Sequence, residues 1–255
     1  IGAVLTNWLS FSNLSYRKTQ HPAKVILMAM QQKVLGKLTI TNTQQHHARS
    51  IYQIIRKAFD VEADDDCDDC IGPKSIASQL ARFPQGQFVA LLEHPPTTDA
   101  SDKPEPIVVG TAHTMRISKP PHPGKWLDTI GDVGISKHEP DGDWLYGVEM
   151  AVHPAYQRRG IGSKLYRARF DLCKRLNLRG WYAGGMLMGY QRYADQMTPR
   201  EYGEKVIAGE LRDPTVTMQM RRGFMPYEVI EDYMEEDTAG NAAVLIVWHN
   251  PEYVP

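Results

Sequence analysis

The sequence predicts a mixed α/β domain. Three observations carry that expectation. Apolar runs of strand length alternate with amphipathic segments of helical period along most of the 255 residues. Two of the helical segments open on clear caps, Thr198-Pro199-Arg200-Glu201 and Asp213-Pro214. One strand, Asp143 to Val152, runs through a basic turn with two glycines directly into a helix. The predicted order is β-α-α-β-β-β-α-β-(α)-α-β-β, without an internal repeat.

Taken in order, Leu38-Thr39-Ile40 has strand character, and Asn42 or Thr43 is the expected cap of the helix that follows. Ile51, Ile54, Ile55, Ala58 and Phe59 fall on one face of that helix. Gly72-Pro73 opens a second helix with Ile76, Leu80 and Phe83 spaced for burial, and Pro84 ends it. Gln87 to Leu92 and Ile107 to Ile117 read as strands, with Gly110 marking a bulge. Lys119 to Asp143, rich in Pro and Gly, reads as a long loop bordering a substrate mouth. After the glycine turn, Ile161, Leu165, Ala168, Leu172 and Leu176 make a helical stripe, and Gly180 to Ala183 is the next strand. The helix at Asp213 stops at Gly223 after two arginines, a favourable charge arrangement at a helix C-terminus. Strands around Met225 to Tyr233 and Ala242 to Trp248 finish the body.

Residues 1 to 37 are set apart as an N-terminal extension, because no Asp or Glu occurs from Ile1 to Phe59 and the charges there are basic. An organelle address and a simple extension both fit that composition. Residues 38 to 255 read as a single domain with a helical insertion near 185 to 212. A net charge of −1 gives no bulk attraction to nucleic acid or to an anionic membrane. No apolar run is long enough for a membrane span. Cys67, Cys70 and Cys173 form no disulfide framework, which points to a reducing, intracellular compartment, most simply the cytoplasm.

The stretch that organises the chain is Val148-Glu149-Met150-Ala151-Val152-His153-Pro154, followed by Gln157-Arg158-Arg159-Gly160-Ile161-Gly162-Ser163-Lys164. A helix start leaves backbone N–H groups without partners at the positive end of the macrodipole, which makes an anion site suited to phosphate. Gly160 and Gly162 allow close backbone approach, and Arg158, Arg159 and Lys164 add charge. The pattern fits neither a Walker loop nor a dinucleotide GxGxxG. It resembles the Gln/Arg-x-x-Gly-x-Gly/Ala signature of the GNAT superfamily of acyl-CoA-dependent N-acyltransferases, and the element order resembles that fold from about Leu38 to Asn250. In its Gly-Gly-x-Leu-x-Gly-Tyr and its helical insert the chain looks like acyltransferase domains found beside carbon–nitrogen hydrolases.

The resemblance implies a central mixed, mostly antiparallel sheet with helices on both faces. It also implies acetyl-CoA as co-substrate, with Met150, Ala151 and Val152 holding the pantetheine arm and Gln157, Arg158, Arg159, Gly160, Ile161, Gly162, Ser163 and Lys164 holding the pyrophosphate. No metal is expected. Glu149 is the candidate base; its alternative is a strand residue paired with a neighbouring cation. Many family members carry a Tyr acid four residues before the glycine of the final Gly-Phe, but here that position is Gln219; Tyr190, or else Tyr193, is the substitute candidate, the alternative being that CoA thiolate leaves without an acid. The acceptor is expected to be a primary amine, on a small molecule or as a lysine or N-terminal amine of a peptide. The acidic loop Asp64 to Cys70 reads first as a solvated loop, with attraction of a cationic amine and a Cys67/Cys70 metal pair as the alternatives. His46, His47 and His113 read as structural or surface residues. Met186, Met188, Met218 and Met220 read as core or as an apolar slot. Cys173, inside the signature helix, argues against a covalent cysteine route. The expected activity is direct acyl transfer in a ternary complex, against a CoA-binding domain without turnover.

Overall fold

The computed structural model describes residues 36–59, 71–94 and 105–255. The acidic loop with Cys67 and Cys70, and the extension apart from Gly36 and Lys37, lie outside them. Seven strands form one sheet: β1 (Leu38–Asn42), β2 (Gln87–Leu92), β3 (Ile107–Ile117), β4 (Trp144–Val152), β5 (Gly180–Met186), β6 (Met225–Ile230) and β7 (Ala243–His249). Their order across the sheet is β1-β2-β3-β4-β5-β7-β6. Every neighbouring pair is antiparallel except β4 and β5.

Helix α1 (Ala48–Phe59) buries Ile51, Ile54 and Ile55, as its period requires, and α2 (Pro73–Arg82) buries Ile76 with Phe83 just beyond its end. The predicted cap of α1 is different. Asn42 stays in β1 and its side-chain amide donates to the carbonyls of Pro84, Gln85 and Gln87. The chain enters α1 through a 3-10 turn, Gln45–His47, where His47 Nδ1 accepts the N–H of Gln44. A short helix, α3 (Trp126–Ile130), interrupts the segment expected to be loop. Its Trp126 is buried and donates Nε1–H to Val148 O at 2.9 Å. Five residues are too few for a periodic signal.

Helix α4 (Ile161–Arg175) lies across β1 to β5 on one face, with Ile161 and Leu165 beside Gly110. Helices α1 and α2 take the other face with the segment after α3, where Gln79 donates to Val133 O at 2.6 Å. β5 runs three residues further than expected, to Met186. Helix α5 (Pro199–Ile207) forms on its capping box, and Thr198 Oγ1 accepts Glu201 N–H. Helix α6 (Val216–Met220) is one turn long and is organised by buried Asp213. Its Oδ1 accepts the N–H groups of Thr215 and Val216, while Oδ2 accepts from Gly189 N and Tyr202 Oη.

Two irregularities bear on the site. In the β2–β3 pair, Ala90 faces Gly110 and Leu91 faces Val108, so Val109 is an extra residue and the bulge expected at Gly110 is present beside it. In the β3–β4 pair, His113 faces Glu149 and Thr114 faces Gly147, so Val148 bulges out of β4.

Candidate active site

The turn before α4 holds two residues at positive φ, Arg158 at 60° and Gly160 at 80°, with Arg159 between them. Among the described residues, the backbone N–H groups of Arg159 to Ser163 find no protein acceptor, as expected for a helix start without a side-chain cap. A Cβ added at Gly160 would meet no atom within 4 Å, and one at Gly162 would meet only the end of Met150 at 4.0 Å. Protein packing therefore does not demand the glycine at 162. A ligand approaching the backbone would.

The turn opens into a cavity of about 620 Å³. Its wall is the gap between β4 and β5, whose pairing ends at Tyr146 and Tyr182. His153 N–H donates to Val109 O on the β3 side. Strand alternation therefore turns the N–H groups of Val152 and Met150 the other way, into the gap. Met150 N–H is met there by Glu149 Oε1 at 2.7 Å, a neighbouring side chain folded back on the strand.

Glu149 is largely buried in the cavity wall, and burial raises its pKa from 4.5 to about 7 against the lowering pull of the Met150 hydrogen bond and the Arg169 charge. Arg169 is 3% exposed and lies over the neighbouring rings of Trp181 and Tyr166, with centroid distances of 4.3 and 4.5 Å. Gln219 donates Nε2–H to Tyr166 Oη at 3.0 Å, and its buried Oε1 has no partner. On the opposite side, Tyr233 reaches the cavity with its hydroxyl 2.9 Å from that of Tyr146. Burial pushes Tyr233 up to about 12, so it stays protonated at neutral pH.

The residues proposed from sequence divide as follows. Glu149, Met150, Ala151, Val152, Gln157, Arg158, Gly160, Ile161, Gly162 and Ser163 line this one cavity. Arg159 and Lys164 lie outside its lining; the Arg159 guanidinium packs 5.2 Å from the Tyr156 ring centre. Tyr190 is not brought to the cavity. Its hydroxyl donates to Met197 O at 3.1 Å and its ring packs on Gly240. Met186, Met188 and Met218 line the cavity, whereas Met220 does not. His113 is fully buried within the sheet, between Thr111 Oγ1 at 2.8 Å and Gln87 Oε1 at 3.2 Å, and burial lowers its pKa to about 3. Cys173 is buried away from the cavity, and burial pushes its thiol up to about 12.

Sequence reasoning missed Arg169, Tyr233 and Trp126. Arg169 did leave a trace: it falls four residues after Leu165, on the buried stripe of α4, where a charge needs a reason. Tyr233 had none, because it follows the end of β6 and is brought to the site only by tertiary folding, its N–H donating to Asn241 O.

Comparison with known proteins points to one family. The profile of the Acetyltransferase (GNAT) family matches residues 48–186. A Bacillus subtilis (strain 168) protein, probable hydrolase YhcX, is 36% identical over 183 residues, covering 71% of this chain and 33% of its own length. The chain thus spans about a third of that relative. Another protein of the same organism, uncharacterized N-acetyltransferase YkwB, is 28% identical over 180 residues, covering 70% of this chain and 74% of its own. Among solved structures, the loading GNATL domain of CurA from Lyngbya majuscula superposes with a TM-score of 0.64 at 17% identity, covering 84% of this chain and 98% of that one. The GphF GNAT-like decarboxylase in complex with isobutyryl-CoA gives 0.63 at 16%, covering 83% and 99%. At such identities the two structures speak for the fold alone.

Proposed function

The chain belongs to the acetyltransferase (GNAT) family, and on that footing we propose that it transfers an acyl group from acetyl-CoA to a primary amine by direct attack in a ternary complex. One observation carries the reading. The unpartnered amides at the start of α4, the gap-facing N–H groups of β4 and the carboxyl of Glu149 all open into one cavity. A CoA thioester supplies an electrophilic carbonyl carbon and a thiolate leaving group. The amides of residues 160 to 163, with Arg158, suit its pyrophosphate. Gly162 leaves room for the close approach, and the orphaned Gln219 Oε1 offers an acceptor to an amide of the pantetheine arm.

The chain's own groups then have defined tasks. Met150 N–H, pointing into the gap, is the donor available to a carbonyl oxygen as negative charge develops on it. Taking that role displaces Glu149 Oε1, and the freed carboxylate accepts a proton from the incoming amine, directly or through water. With its pKa near 7, Glu149 is poised to gain and lose that proton at neutral pH. Tyr233 is the proton donor for the departing thiolate, in place of the family tyrosine that Gln219 replaces. Cys173 has no part, being buried off the cavity as a thiol.

The amine enters between Trp126, Tyr233 and Glu236, the wall contributed by the layer opposite α4. The test supplies acetyl-CoA with a panel of small amines and peptides and follows thiol release. The Gln219 substitution favours a second reading, a CoA-binding domain without turnover. Saturable CoA binding with no release above the hydrolytic background across the panel would select it. Absence of CoA binding would reject both.

A further inference from the structure

Arg169 is a buried cation with no carboxylate in ion-pair contact among the described residues. Its Nε donates to Leu165 O at a long 3.4 Å, Nη2 lies 2.9 Å from Met150 Sδ, and the Tyr166 hydroxyl is its remaining partner. Among the described residues no carboxylate lies within 4.0 Å of it. Glu149, whose charge it feels, turns Oε1 to Met150 N instead. A thioether sulfur is a weak acceptor, and a guanidinium carries more N–H donors than these contacts use. Ring faces on Trp181 and Tyr166 recover part of the desolvation cost and leave the anion requirement unmet. Burial lowers its pKa to about 10, so it remains charged at neutral pH.

The guanidinium forms part of the cavity wall beside Met150, on α4, the helix whose start makes the anion turn. From this placement we infer that the cavity accepts an acyl donor bearing a carboxylate at the far end of its acyl chain, a dicarboxylic acid monothioester of CoA, with Arg169 as the residue that binds that carboxylate. The inference rests on the reading of the cavity as an acyl-CoA site. It assigns the anion to the donor rather than to the amine because Arg169 belongs to the α4 side, while Trp126, Tyr233 and Glu236 form the opposite wall. An acidic acceptor would also pass the carboxylates of Glu149 and Glu236. The planar fork of arginine suits a carboxylate bidentately, and the burial of the Arg169 guanidinium strengthens such a pair.

The experiment measures binding of malonyl- and succinyl-CoA against butyryl- and pentanoyl-CoA, with free CoA and acetyl-CoA as references, by titration calorimetry on the whole chain. At least one carboxyacyl-CoA is expected to bind roughly ten-fold to a hundred-fold tighter than its neutral counterpart, the worth of a charge-assisted hydrogen-bonded pair. In Arg169→Gln that ratio should fall to about one, and in Arg169→Lys it should be retained only in part. Circular dichroism confirms that each variant is folded. Equal affinity of the wild-type chain for charged and neutral members overturns the inference, whatever the variants do. So does a preference that survives in Arg169→Gln. A carboxylate preference seen only among acceptors, amino acids over their amides, also overturns it. If neither CoA nor acetyl-CoA binds, it is the acyl-CoA reading itself that fails, so the two failures are distinguishable.

Discussion

Replacing Glu149 with glutamine tests the proposed base in two independent ways. The first is kinetic. A base titrating near 7 makes kcat/KM rise as pH climbs through that value and level off above it. With a weakly basic amine, neutral throughout the range, the rising limb reports the enzyme alone. Glu149→Gln should lower kcat/KM by about 10² to 10⁴ and abolish that limb. The second is thermodynamic. The folded-state pKa lies above the ordinary 4.5, so between about 4.5 and 7 the folded chain holds a proton that the unfolded chain has released. Stability therefore falls as pH rises through that window, and the penalty is complete above 7. At about 1.36 kcal/mol per pH unit the rise corresponds to roughly 3 kcal/mol, an upper bound because the carboxyl borders a cavity that admits water. Glu149→Gln removes the penalty, so its stability relative to wild type should grow from pH 5 to pH 8 in urea titrations. A variant that keeps the wild-type limb near 7 would refute the catalytic role. A difference in stability that does not change with pH would refute the buried, proton-holding carboxyl.

Three further outcomes follow from the geometry. Gly162→Leu should fold normally, since an added Cβ meets nothing closer than the tip of Met150, yet lose ten-fold or more in CoA affinity; an unchanged Kd would remove the turn from the site. Tyr233→Phe should cost about 1 kcal/mol through the lost contact with Tyr146 and lower kcat by about ten-fold to a hundred-fold, while the limb near 7 persists. An unaltered kcat excludes Tyr233 as the proton donor. Asp213→Ala should destabilise by roughly 3 kcal/mol in denaturant unfolding, because it strands the buried Tyr202 hydroxyl and Gly189 N–H along with the start of α6. A loss below about 1 kcal/mol would mean that water replaces the carboxylate there.

What was legible in the sequence is what depends on local pattern. β2 and β3 begin and end where their apolar runs do, and α5 starts on its capping box. The wall proposed for the acyl donor was legible for the same reason, its lining residues from Glu149 to Ser163 falling in one stretch of sequence. The opposite wall was not. Trp126 sits on a helix too short to show a period, and Tyr233 arrives from a chain segment 84 positions beyond Glu149. Tyr190 looked plausible because it follows a glycine-rich strand end. The longer β5 and the Asp213 network carry it instead to the Met197 carbonyl.

Two irregularities at β4 combine to put Glu149 and the Met150 N–H at one place. The bulge at Val148 resets which side chains face which side, delivering Glu149 beside the cavity. The parallel pair with β5 ends at Tyr146, so Met150 N–H has no strand to bond. Left bare in a largely buried wall, that N–H would be costly, and the Glu149 carboxyl covers it. The base is thereby held on the very donor that the proposed mechanism needs for the carbonyl oxygen. An acyl donor that takes the N–H releases the carboxylate, and the release removes the one hydrogen bond that had been lowering its pKa. On this account the base becomes available only once a donor is in place. The amine then finds it free in the ternary complex and bound to the strand before that, which makes donor-first binding the productive order.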